Sequence, residues 1–129
     1  MVWGLFPTLL ALLVAVGMLS SSGVIDILGK LLYPLFKMIN ISKELIPLVL
    51  LRPISGSTTT AIATDIMRNC GVDSNIGLIA STIMGSTETT IYVIALYTSK
   101  IKIKNIKEVL LIGLLADFVG ICMSVLIYM

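Results

Sequence analysis

The sequence contains no histidine and only two cysteines, Cys70 and Cys122. Zinc sites and Ser-His-Asp chemistry depend on imidazole, so its absence excludes most hydrolase mechanisms. The cysteines lie far apart, one of them in an apolar run, and are expected as free thiols. No metal or cofactor is expected. Charge is scarce too. Charged residues make up 12% of the 129, against about 25% in a soluble domain, while 57% are hydrophobic. The mean hydropathy is +1.08. So few charges cannot clothe a water-facing surface. A net charge of +2 without a basic stripe offers nucleic acid nothing to hold, so no nucleic-acid partner is expected.

What the chain has instead is long apolar runs. Residues 1–25 carry no charge, residues 74–99 only Glu88, and residues 109–129 only Asp117. A bilayer span needs about 20 mainly apolar residues. The expectation is an all-α polytopic protein, multi-pass in the cell membrane, with the lipid bilayer as its first partner. No Lys or Arg precedes the first run and no small-residue cleavage site follows it, so residues 4–19 read as a retained helix with Trp3 as interface anchor. Ser20, Ser21, Ser22 and Gly23 break it. In residues 24–39, Ile25, Leu28, Leu31, Leu32, Leu35 and Ile39 recur at helical spacing, with Asp26, Lys30 and Lys37 off the stripe. That pattern suits an interfacial helix or a tilted, buried one.

Two further segments share one grammar. The first runs apolar from Glu44 to Leu51, then reads Arg52-Pro53-Ile54-Ser55-Gly56-Ser57-Thr58-Thr59-Thr60, and resumes as a helix to about Asn69. Pro53 and Gly56 end its first arm, and Ser57 or Thr58 is the expected N-cap of its second. After a turn at residues 70–73, the second segment reaches Met84, meets Gly85, Ser86, Thr87, Glu88, Thr89 and Thr90, and continues to Tyr97. The two form an internal repeat: Ile54, Gly56, Ser57, Thr58, Thr60 and Ile62 recur as Ile83, Gly85, Ser86, Thr87, Thr89 and Ile91 at a constant offset of 29. A basic loop (Lys100, Lys102, Lys104, Lys107) leads into a last spanning helix over residues 106–128, and by the positive-inside rule it is cytoplasmic. Lys37 and Lys43 suggest the same for the loop before Glu44.

Unpaired backbone amides cost several kcal/mol in hydrocarbon, so helices break at membrane depth only when buried in protein or facing a wet cavity. Paired breaks in a repeat point to a solute site, at which a second arm aims its N–H groups and positive dipole end. The candidate binding residues are Arg52, Ser55, Gly56, Ser57, Thr58, Gly85, Ser86, Thr87, Glu88, Thr89 and Asp117, and they suit a small polar or anionic solute. Each isolated charge at the bilayer centre costs about 3 kcal/mol, so Arg52 and Glu88 are expected to pair across the breaks. Gly113, Asp117, Gly120 and Ser124 share one face of the last helix, expected to turn toward the breaks. Gly113 and Gly120 read as close-packing positions, while Gly56 and Gly85 suit either packing or a site. Asp65 and Arg68 read as a solvated pair.

The runs Arg52-Pro53-Ile54-Ser55-Gly56-Ser57, Asp65-Ile66-Met67-Arg68 and Met84-Gly85-Ser86-Thr87-Glu88-Thr89, with Gly71, Asp73, Ser74, Tyr92 and Ala116-Asp117-Phe118-Val119-Gly120, resemble the spore-maturation members of the nucleoside-recognition, or gate-domain, family of membrane proteins. The resemblance covers residues 7–127 and implies a single gate-type transmembrane domain over residues 1–129. It also implies a role in spore core dehydration and maturation, beside a paired membrane subunit resembling spore maturation protein A or as a homo-oligomer. Family members usually carry a further N-terminal stretch with another membrane helix, and often a basic residue where Ser20 stands. These features imply half of a solute transport or gating unit, with two broken segments that are re-entrant or discontinuous. The alternative is a non-transporting membrane scaffold for envelope or spore assembly. No enzyme is expected: an intramembrane protease would need Asp65 and Asp117 as a dyad, and neither sits in a sequence suggesting one.

Overall fold

The computed structural model describes residues 21–101 and 104–128, together with residues 6–7, 10–11, 14–15 and 17–18. Those eight early residues are helical and exposed; Trp3 and the other half of the expected first helix lie outside the described residues. Helix α1 is Val24–Met38, with Asp26 in its first turn and Lys37 in its last, each matched to the helix dipole. Asn40, at φ 56, closes it. The Ile41 N–H returns to the Phe36 carbonyl and the Asn40 N–H to the Lys37 carbonyl, a Schellman stop in which Phe36 and Ile41 are both buried. A 3-10 turn, Lys43–Leu45, leads into the short helix α2, Ile46–Leu51. Helix α3 is Gly56–Cys70, α4 Asn75–Ser86, α5 Thr90–Thr98 and α6 Ile106–Tyr128. There is no strand among the described residues.

Residues 71–74 make a tight turn between α3 and α4. A Cβ on Gly77 would stand 2.3 Å from the Gly71 carbonyl oxygen, so only glycine lets the turn lie this close. Ser74 caps α4, its Oγ accepting from the Gly77 N–H at 3.0 Å. Helices α3 and α4 therefore run antiparallel and pack together, α4 packs on α6, and α1 packs on α2. Leu45, Leu48 and Val49 share one core with Ala63, Ile66, Ile79, Ala80, Ile83, Ile121 and Val125. The Lys43–Leu45 turn packs against α4. Helix α2 thus lies back alongside α3, and the two form a hairpin folded at residues 52–55.

The second segment is built differently. Going from Ser86 to Ile94, its neighbours on α6 run back from Ser124 through Gly120 and Asp117 to Gly113. It continues along α6 in one direction, as a helix interrupted but not reversed. Asn75–Thr98 and Ile106–Tyr128 are both long and apolar enough to cross a bilayer, with mean hydropathies of 1.2 and 2.5. Only 22% of each apolar window is buried, unlike the core helix of a soluble protein. At 1.5 Å per residue α6 is about 35 Å long, enough for the hydrocarbon core. Beyond Lys107 and Glu108 in its first turn, its outward side chains, among them Leu111, Leu115, Phe118, Val119 and Leu126, are apolar.

Three expectations need correction here. The inward face of α1 is Ile25, Gly29, Leu32 and Phe36, while Leu28, Leu31 and Leu35 stay exposed, because apolar residues fill most of the helix and periodicity alone does not choose between core and lipid. The cap of α3 is Ser55, whose extended backbone lets its Oγ accept from the Thr58 N–H, and not Ser57 or Thr58. The equivalent Gly56 and Gly85 also occupy different places: Gly56 opens α3, whereas Gly85 lies in the last turn of α4. Pro53 has Thr82 as its counterpart, so nothing stops α4 where α2 stops.

Candidate functional site

The two breaks meet. After α2, the Ile54 and Ser55 N–H groups both return to the Leu51 carbonyl, leaving the Pro53 carbonyl directed outward. It accepts from the Ile91 N–H at 2.9 Å. Ile91 is the second residue of α5, where a helix cannot satisfy its own amide. In the second break, Thr89 has φ −79 and ψ 69, and the Thr90 N–H returns to the Glu88 carbonyl at 3.0 Å. That is an inverse γ-turn. The methyl of Thr89 packs on Gly56, where a Cβ would stand 3.3 Å from it.

Arg52 is buried, and its side chain enters the end of α4. Its Nε donates to Thr87 Oγ1 at 3.0 Å, and its Nη2 donates to the Met84 carbonyl at 2.7 Å and to the Thr87 carbonyl. Thr87 Oγ1 in turn donates to the Ile83 carbonyl at 2.7 Å. The last carbonyls of a helix lack intrahelical partners and carry the negative end of the dipole, so a guanidinium there meets both needs. The expected Arg52–Glu88 pair does not form. Glu88 is exposed between the arms, not in the first turn of the second one, and Arg52 is engaged by carbonyls.

The opposite charge is treated in the mirror sense. Asp117 is buried, and its Oδ2 accepts from the hydroxyl of Thr90, the first residue of α5. The positive end of α5 favours a carboxylate there. A Cβ on Gly113 would fall 2.5 Å from Thr90 Cγ2, and one on Gly120 3.2 Å from Thr87 Cγ2. Ser124 Oγ donates to the Gly120 carbonyl and lies 3.4 Å from Ser86 Oγ. The face Gly113, Asp117, Gly120 and Ser124 does turn toward the break, and its glycines serve close packing.

Among the candidates, Arg52, Gly56, Thr87, Thr89 and Asp117 converge at the junction of the breaks. Ser55 and Thr58 are joined by a 2.9 Å hydroxyl bond at the start of α3. Ser57, Gly85, Ser86 and Glu88 are exposed. Sequence reading did not single out Thr90 or the carbonyls of Pro53 and Met84. Thr90 stood beside a run of equally plausible hydroxyls, and carbonyls carry no sequence signal. No buried side-chain nitrogen or oxygen among the described residues lacks a partner, so the buried polar side chains of the junction are all hydrogen-bonded.

Discontinuous apolar helices meeting at their breaks, with charges set on half-helix ends, describe an all-α protein whose long apolar helices suit a membrane. Residues 2–104 match the gate family, described as nucleoside recognition. The chain is also 42% identical over 125 residues to spore maturation protein B of Bacillus subtilis (strain 168), covering 97% of this chain and 70% of that protein. The chain belongs to the nucleoside-recognition, or gate, family. No solved structure matches it.

Proposed function

We propose that this chain is the multi-pass membrane component of a solute transport or gating unit serving spore maturation. It acts beside a paired membrane subunit resembling spore maturation protein A or beside a second copy of itself. The observation that carries this reading is Glu88. It lies about midway along the apolar Asn75–Thr98 stretch, at a break, and is exposed. A carboxylate at that depth needs water, a solute or a partner chain against it. Arg52 donates to the chain's own carbonyls, so the exposed charge at the junction is negative. This favours a polar solute rich in hydrogen-bond donors over an anionic one.

A scaffold role is supported by a different observation, the internal satisfaction of the polar groups at the breaks. The readings separate on Glu88→Gln in sporulating cells, read as spore core water content and as recovery of the complex with its partner. The transport reading expects normal assembly with wetter cores. Dry, resistant cores from an assembled variant would overturn it.

A further inference from the structure

A second polar feature lies away from the breaks, in the groove between α1 and the start of α2. The groove encloses about 470 Å³, within the usual range for small-ligand sites. Asp26, Lys30 and Tyr33 of α1 line one wall, and Lys43 and Pro47 line the other. The helices come close beneath it: a Cβ on Gly29 would stand 3.4 Å from Ile46 Cγ2. Lys43 Nζ sits 5.1 Å from the centre of the Tyr33 ring, a cation–π contact that holds this ammonium over the groove. Lys30 stands between the groove and an exposed apolar row, Ile27, Leu31 and Met38, which in a bilayer faces lipid.

We propose that this groove binds a phosphate-ester anion, with Lys30 and Lys43 neutralising the phosphate. Asp26 accepts a hydrogen bond from a hydroxyl on the same headgroup, so an alcohol-bearing anion such as phosphatidylglycerol fits better than bare phosphate. Two ammonium groups against one carboxylate leave the groove net positive, and basic pockets at helix junctions are suited to anionic headgroups. The lipid-facing row beside Lys30 makes phospholipid the source at hand, and a soluble phosphate shares the same chemistry.

The test uses the full chain in nanodiscs and reads its melting temperature. Phosphatidylglycerol discs should raise Tm by about 4 °C over phosphatidylcholine discs. Lys30→Gln and Lys43→Gln should each lose most of that rise. Lys107→Gln, at the far end of the molecule, should keep it, as should Lys30→Arg. A rise given by inorganic phosphate in phosphatidylcholine discs, lost in the same two variants, supports the site and assigns it to a soluble anion. Equal melting in both lipids without and with phosphate would overturn the proposal. So would a loss in Lys107→Gln as large as in Lys30→Gln, which would mean general surface charge.

Discussion

The Ile91 N–H donates to the Pro53 carbonyl at 2.9 Å and ties the two helix breaks to each other. Each group is one that a helix end leaves unsatisfied, and each is supplied by the other break. Arg52 repeats the principle with a side chain, reaching the Met84 and Thr87 carbonyls at the end of α4. The junction is therefore held by half-helix ends, and its stability should depend on donors and acceptors more than on charge pairing.

Arg52 tests this first. Arg52→Gln removes a donor fork and leaves the Met84 and Thr87 carbonyls to find other partners, at about 1–3 kcal/mol for each buried group left unmade. Lysine lacks the planar fork and should restore only part of the loss. Glu88→Gln should leave thermal stability unchanged, and Arg52→Gln with Glu88→Gln should melt with Arg52→Gln alone. A double variant more stable than Arg52→Gln would revive an ion pair.

Gly113→Ala places a methyl where the Thr90 methyl already stands. It should cost about 1–3 kcal/mol by overpacking. Thr90→Ser removes that methyl and keeps the hydroxyl for Asp117, so the double variant should regain most of the loss in a melting measurement. Failure of the rescue would show that the strain lies in the backbones of α5 and α6.

Thr90→Val keeps the shape and removes the donor to Asp117. A buried carboxylate without its partner should destabilise the protein by about 1–3 kcal/mol. Asp117→Asn should be milder, and adding it to Thr90→Val should cost little more, since the two share one bond. Additive losses would place the role of Asp117 elsewhere.

Topology separates the architecture seen here from two alike segments. With α2 and α3 as a hairpin and α4 to α5 running through, residues 42 and 70 should lie on one side of a bilayer and the basic loop on the other, against the cytoplasmic placement that Lys37 and Lys43 suggest for the loop before Glu44. By the positive-inside rule, the four lysines of that loop should keep it in the cytoplasm. In cells whose protein carries Cys122→Ser, Cys70 should be labelled rapidly from outside by an impermeant maleimide. Ser42→Cys should match it in a background without other cysteines, and Lys104→Cys should react only after permeabilisation. Opposite sides for residues 42 and 70 would mean that the first segment spans.

Much of this was legible in the sequence because it depends on local periodicity and composition. Apolar runs fix helices of membrane length, Pro53 and the Gly-Ser-Thr clusters fix where they break, and helical spacing puts Gly113, Asp117, Gly120 and Ser124 on one face. The repeat was legible too, yet its two copies fold differently. Pro53 stops α2 and lets the chain reverse, while Thr82 in the same place lets α4 run on to Ser86. What tertiary structure alone decided is which groups meet. Arg52 reaches carbonyls and not Glu88, because a buried guanidinium goes to the acceptors within its length. Which helix end lies there is set by the packing of α2, α3, α4 and α6, and no spacing along one chain segment encodes it.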